Sequence, residues 1–260
     1  MTVQVLYKYG SLNEHSEALF STPTIWFSPP AKLNDPFECR PRLTFDGTPK
    51  QIVEFLERQY RKRIPQFTPQ GATARAISVY LEGRHRDPNA WERIRQDVLA
   101  KITRQIGLYC LSKNNNSILM WSHYSQNHRG YCLEFEATAN TSVFGEAQPV
   151  GYATDYPVVD FFKTPKEEQV DLIFLTKYLG WSYEEEWRII DHRAGPGAHA
   201  YLAELLRGVI FGLRMPEDDR AKIRAWIKKR GCSVKFYEAI QSDRQFKIDI
   251  REMTFEAGSP

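Results

Sequence analysis

Residues Trp181 to Ile190 read WSYEEEWRII, and the placement of this run decides what the rest of the chain is built around. Three consecutive glutamates belong by default to solvent, because an unpaired carboxylate is costly to bury. Here they lie between Trp181, Tyr183 and Trp187 and run into Ile189 and Ile190. Read as a strand over Glu184–Asp191, the run alternates faces. Tyr183, Glu185, Trp187 and Ile189 then share a mostly apolar face suited to a core. Glu184, Glu186 and Arg188 share the other, as the wall of a site or as an ion-pair ladder.

Strand patterns surround this segment. Val3 to Tyr9 reads as a first strand, with Val3, Val5, Tyr7 and Tyr9 on one face and Lys8 on the other. Ser11 and Glu14 form a capping-box pattern opening a short helix through Phe20. Short strands follow at Thr24–Ser28 and Leu43–Phe45. Between them, Asp35, Pro36 and Glu38 read as the cap and first turn of a helix. From Pro49 the text becomes helical, over Pro49–Arg63, Ala72–Leu81 and Pro88–Ile106, the last capped by Asp87. Strands return at Leu108–Ser112, Tyr131–Ala137 and Pro149–Ala153, with a short helix at Ile118–Gln126 between the first two. Tyr131, Leu133 and Phe135 are expected to face in, and Cys132, Glu134 and Glu136 out. Glu167–Leu179 reads as a helix stopped by Gly180, and Arg193–His199 as a loop. Gly208–Phe211 is a buried strand and Pro216–Arg230 a helix with acids first and bases last. Ser233–Ile240 and Gln245–Met253 form a closing antiparallel pair.

Strands with helices between and beside them, without strict βαβ alternation, imply an α+β fold. The sheet is expected to be mixed or largely antiparallel, flanked by helices. We expect a single domain over residues 1–260 with a helical insertion at about 49–106. Its 260 residues are 42% hydrophobic and carry a formal charge of +3, too small to indicate nucleic acid. Cys39, Cys110, Cys132 and Cys232 form no CxxC or CxxH pair, so no zinc site is expected. The first residues lack a secretory leader pattern, and no apolar run reaches the ~20 residues of a membrane helix. The expected setting is a soluble protein in a reducing cytoplasm.

Several other groups carry chemistry. In MWSHYSQNHRG, Met120, Trp121 and Tyr124 share a helical face. His123 and His128 are five apart, about 140° around a helix, and cannot chelate one metal from it. His123 and Tyr124 remain candidates for ligand contact, whereas Trp121 reads as core and Gly130 as a helix C-cap. Clustered acids at Asp35 and Glu38, joined by Glu184 and Glu186, would suit a magnesium-dependent nuclease if they converged. No GxGxxG or GxxxxGK[ST] is present.

Taken in order, LYKY (6–9), IWFSPPAKLNDPFE (25–38), LMWSHYSQNHRGYCLEFE (119–136) and WSYEEEWRII (181–190) resemble the bacterial family catalogued as domain of unknown function 2971. The resemblance runs from Leu6 to about Gly212. A more distant similarity is to the ADP-ribosyltransferases, whose site takes a residue from a first strand, a serine from a middle strand and a glutamate from a later ExE. It implies Tyr7, Lys8 or Tyr9 as the nucleotide-holding position, Ser112 as the brace, and Glu184 or Glu186 as the carboxylate at the nicotinamide ribose. This chain has no Arg or His on the first strand, and Leu111-Ser112 stands in place of a Ser/Thr-x-Ser.

The resemblance therefore implies an enzyme that takes NAD as substrate and cleaves or transfers its ADP-ribose. Glu186 would stabilise the ribosyl cation with Glu184 assisting, and Ser112 would brace the cleft. Tyr7, Lys8, Tyr9 and Tyr124 would cradle the nucleotide, with Arg188 or His123 at phosphate. The acceptor would be protein, nucleic acid or water, and toxin or phage-defence biology suits such chemistry. The alternatives are the nuclease above and a non-catalytic module recognising a partner through its aromatic surface.

Overall fold

In the computed structural model residues 5–254 are described, the side chain of Ala90 excepted, so Val3 lies outside them. In chain order they form β1 (Val5–Gly10), α1 (Ser16–Ser21), β2 (Thr24–Phe27), β3 (Arg42–Thr44), α2 (Pro49–Arg63), α3 (Pro69–Leu81) and α4 (Pro88–Gln105). Then come β4 (Gly107–Ser112), α5 (Ile118–Tyr124), β5 (Tyr131–Glu136), β6 (Gln148–Pro149), β7 (Gly151–Ala153), β8 (Val158–Asp160) and α6 (Lys166–Phe174). The remainder are β9 (Thr176–Tyr178), β10 (Glu186–Asp191), β11 (Gly197–Ala200), β12 (Leu206–Phe211), α7 (Glu217–Lys229), β13 (Lys235–Gln241) and β14 (Ile248–Glu252).

Eight strands form one sheet in the order β14-β13-β12-β5-β1-β4-β10-β6. Only β12 and β13 pair in parallel; the other neighbours are antiparallel. The fold is α+β with a mixed, mostly antiparallel sheet. β1 and β10 flank β4, which sets Tyr7 and Glu186 opposite Ser112. Both faces of the sheet are covered. Leu6, Leu133, Phe135, Val209 and Phe211 pack with Phe20 of α1 and Ile223 and Ile227 of α7. Tyr9, Cys132, Ile210 and Ala239 pack against Met120 and Trp121 of α5. That second layer corrects the expectation that Cys132 points outward: it is fully buried. Trp121 is also fully buried, and its indole N–H is satisfied by the Asn115 carbonyl at 2.9 Å.

The helical block forms where capping and periodicity agree. Thr48 and Gln51 cap α2 reciprocally, with Pro49 in its first turn. Asp87 accepts the Asn89 N–H at the start of α4, as its sequence position predicts. A third cluster, including Ile106, Leu108, Ile173 and Phe174, joins α4 to β4 and α6. Among the described residues no helix is long and apolar enough to cross a membrane.

Several local expectations are corrected. The first helix begins at Ser16 rather than at a Ser11–Glu14 box; its N-cap His15 makes no side-chain cap bond. Residues 36–39 form a turn, not a helix, and Asp35 accepts the Phe37 N–H. Residues 197–200 pair with β2 as a strand instead of forming a loop. Gly130 is no simple helix cap: a Cβ there would lie 2.1 Å from the Gly10 carbonyl oxygen, so glycine allows two backbones to touch. Most consequential, α6 stops at Phe174. Thr176 and Tyr178, both strand formers, carry Lys177 into β9, which pairs in parallel with β7.

Candidate functional site

The glutamate run does not enter its strand at Glu184. Residues Leu179–Glu184 form a 3-10 turn, Glu185 sits in the left-handed region at φ 43°, and β10 begins at Glu186. The expected alternation therefore holds only from Glu186 onward. Glu186 and Arg188 are buried, while Trp187 and Ile189 pack on the opposite, apolar layer. Glu185, expected on the core face, is exposed. Glu184 leaves the strand pattern, yet its carboxylate returns to the same place because Lys177 draws it there.

Lys177 is the centre of the arrangement. Its ammonium lies 2.5 Å from Glu184 Oε2, 3.0 Å from Glu186 Oε2 and 3.2 Å from Glu38 Oε1. Arg188, fully buried, donates from Nε to Glu186 Oε1 at 2.7 Å and from a terminal nitrogen to Glu186 Oε2 at 2.9 Å. It also donates to the Phe174 carbonyl at 2.8 Å and to Glu38 Oε2. Three carboxylates thus face two cations, so 3 − 2 leaves one excess negative charge in a buried site. Such a cluster persists because each charge is paired and hydrogen-bonded.

The two glutamates differ electrostatically. Burial alone would raise Glu186, but Arg188 and Lys177 outweigh it and hold its carboxyl down at about 2. For Glu184 burial prevails over Lys177 and the Tyr124 hydroxyl, leaving it above the ordinary carboxylate value. Burial also opposes the Lys177 charge, but Glu186, Glu38 and Glu184 together raise its pKa. The two carboxylates are thereby pushed apart, Glu186 toward its anion and Glu184 toward its protonated form.

A cleft of about 250 Å³ opens over this cluster. Lys8, Ser112 and Glu186 all line it, as do Tyr7, Tyr9, Tyr124, Glu184 and Arg188. Ser112 is buried and donates to the Glu184 carbonyl at 2.6 Å while accepting the Asn114 N–H, bracing the turn before β10. Tyr124 donates to Glu184 Oε1 at 2.6 Å and accepts from Asn34 at 2.9 Å. Tyr9 donates to the Asn114 carbonyl, and Lys8 to the Cys110 carbonyl at 2.8 Å. Burial, with Glu134 adding to it, raises the Tyr7 hydroxyl to about 12.

Two expected phosphate partners are placed otherwise. Arg188 spends its donors on Glu186, Glu38 and Phe174 and is closed to solvent. His123 is exposed, meets the Tyr183 hydroxyl at 3.0 Å and does not line the cleft. Cationic contacts on the cleft fall instead to Lys8 and the exposed Lys32, which lies in the short Pro30–Lys32 turn. Trp26 also lines the cleft and is 64% exposed.

Glu38, read in the sequence as part of a cap, is a member of the ion cluster. Asp35 is not: it accepts the Trp181 indole N–H at 2.7 Å and the Phe37 N–H. The acids at 38, 184 and 186 do converge, but on the Lys177 ammonium. Among the described residues no group of three or more His, Cys, Asp or Glu is arranged to hold a metal. Lys177 was hidden inside an expected helix; the strand-forming pair around it in Thr-Lys-Tyr was the available signal.

Residues 120–189 match the family DUF2971, proteins of unknown function. The family resemblance drawn from the quoted motifs is shown over that span. It holds Tyr124, Lys177, Glu184, Glu186 and Arg188, whereas Tyr7, Lys8, Tyr9, Glu38 and Ser112 lie outside the matched residues. The DUF2971 segment thus supplies both cations of the cluster and two of its three carboxylates. Neither the curated proteins nor the solved structures give a match to the chain.

Proposed function

We propose that the chain binds NAD or a related nucleotide in this cleft and cleaves or transfers its ADP-ribose. The observation that carries the reading is the adjacency of β1, β4 and β10, through which Lys8, Ser112 and Glu186 line one cleft. The electrostatics agree with it. The nicotinamide ring of NAD is cationic, and the breaking bond to ribose C1′ develops oxocarbenium charge. Both are favoured beside a buried cluster with one excess negative charge. Lys8 and Lys32 are suited to phosphate, and the exposed Trp26 to a stacked base. At about 250 Å³ the cleft is small for a ligand site and takes the nicotinamide-riboside end, the rest lying along the rim.

In this mechanism the bond from C1′ to the nicotinamide nitrogen breaks, its electron pair leaving with neutral nicotinamide. Glu186, the fixed anion, stabilises the cation left at C1′. The nucleophile, water or an acceptor group, bonds at C1′ and gives up its proton, for which Glu184 is the fitted base. Tyr124 and Lys177 orient Glu184.

Incubating purified protein with NAD, with and without cell extract, is expected to release nicotinamide, followed by chromatography. Absence of both turnover and NAD binding under either condition would overturn the proposal.

A further inference from the structure

The stretch MWSHYSQNHRG (120–130) runs past Tyr124 into a turn that takes no part in the nucleotide cleft. Gln126, Asn127 and His128 stand in succession in the left-handed region, at φ 49°, 54° and 68°. Three such residues without a glycine are costly, because each Cβ crowds the carbonyl oxygen that follows it. The fold over-determines the turn. The Ser122 carbonyl holds the Asn127 N–H, the Trp121 carbonyl the His128 N–H, and the Ser125 carbonyl the Gly130 N–H. A Cβ on Gly212 would lie 2.3 Å from the His128 carbonyl oxygen, so the chain leaving β12 is pressed against the turn.

A hollow of about 520 Å³ opens on this turn, lined by Ser122, Gln126, Asn127, His128, Arg129 and Arg214. It shares no lining residue with the nucleotide cleft and has no carboxylate on its wall. Arg129 follows His128 in the chain, and the Arg214 N–H donates to the His128 carbonyl at 2.9 Å, so both arginines spring from one point of the turn. Elsewhere Arg207, Arg220 and Arg251 each meet a glutamate. Arg129 and Arg214 are exposed, and among the described residues neither guanidinium has a hydrogen-bond or ion-pair partner. Glu217, the acid next after Arg214 in the chain, is taken by Arg224 at 2.5 Å. The uncompensated charge is felt at the imidazole: burial lowers the His128 pKa, and Arg214 lowers it further. Ser122 gives its proton to the Ile118 carbonyl at 2.9 Å and so accepts from His128 Nε2 at 3.0 Å, which fixes the ring as a neutral wall.

We propose that this hollow binds a phosphoryl dianion, its oxygens received by the Arg129 and Arg214 guanidinia, with the Gln126 and Asn127 amides beside them. Two guanidinium forks bring two positive charges and paired N–H donors, which match a phosphate better than a singly charged carboxylate. The dianion is free phosphate or the monoester of a small molecule, for which a hollow of this size has room. Strain of the kind held in the turn is retained where it gathers side chains around a ligand. The inference goes beyond the nucleotide reading and does not depend on it.

Calorimetric titration at low ionic strength with inorganic phosphate, ribose 5-phosphate and acetate tests the inference without NAD. Phosphate is expected to bind at one site, roughly tenfold or more tighter than acetate. Tighter binding of ribose 5-phosphate marks an ester as the ligand, and equal or weaker binding marks free phosphate. Arg129→Ala and Arg214→Ala remove exposed side chains and leave the core untouched. Each is expected to weaken phosphate by roughly tenfold, the scale of a charged hydrogen bond, whereas Lys32→Ala on the nucleotide cleft leaves its affinity unchanged. No phosphate binding, acetate bound as tightly, unchanged affinity in either arginine variant, or an equal loss in Lys32→Ala would overturn it.

Discussion

Lys177→Met is expected to destabilise the protein by about 3–5 kcal/mol, the usual cost of removing one partner from a buried ion pair. The reason lies in the charge count. With Lys177 gone, three buried carboxylates face Arg188 alone, and the excess rises from one negative charge to two. Methionine replaces the aliphatic stem but none of the donors. Urea denaturation at neutral pH measures the loss. Its pH dependence has a definite sign. Burial already holds Glu184 above its ordinary value, with Lys177 opposing the shift. Removing Lys177 raises the folded-state value further. A carboxyl raised in the folded state penalises folding once pH exceeds its unfolded value, and acidification relieves the penalty. The deficit of the variant relative to the parent should therefore shrink as pH falls from 7 toward the ordinary glutamate range. A deficit that grows on acidification would contradict the placement of Glu184 in the cluster.

Glu186→Gln is expected to lower NAD cleavage by about 100-fold or more, the scale of removing one preorganised electrostatic group. NAD binding should change far less, because the charge at C1′ develops only as the bond breaks. The same substitution brings the buried cluster to two carboxylates against two cations, so its stability cost should be smaller than that of Lys177→Met. Glu184→Gln supplies the contrast, acting on the proton transfer and therefore changing the pH profile of the rate. Nicotinamide release under saturating NAD separates the two. If Glu186→Gln cleaves NAD at the parent rate while Lys177→Met unfolds, the cluster is an internal tie of the fold and not a site.

Much of the architecture was legible from periodicity and caps. Pro49–Arg63 was read to its ends because Pro49 and the basic last turn mark them. Asp87-Pro88 marked the start of α4 in the same way. The closing pair β13–β14 followed from alternation. Three placements were not legible, each for a physical reason. The left-handed Glu185 interrupts the alternation on which the strand reading of Glu184 depended, and a non-glycine residue gives no warning of that conformation. Lys177 follows a helical segment whose end is set by pairing with β7, a contact distant in the sequence. Glu38 has the residue type and spacing of a capping-box glutamate, and only the approach of Arg188 from 150 residues away shows its use. The grouping of Glu184 with Glu186 was nevertheless right in outcome, because a lysine assembles what the strand does not.

The most direct measurement is a calorimetric titration of NAD into the parent protein and into Trp26→Ala. Trp26 stands 64% exposed on the cleft, so its removal leaves the core untouched. One site in the parent, weakened roughly tenfold or more by the loss of a stacking ring, is the expected result. Absence of binding in the parent, or an affinity unchanged in Trp26→Ala, would contradict a nucleotide seated in the cleft between Lys8, Ser112 and Glu186.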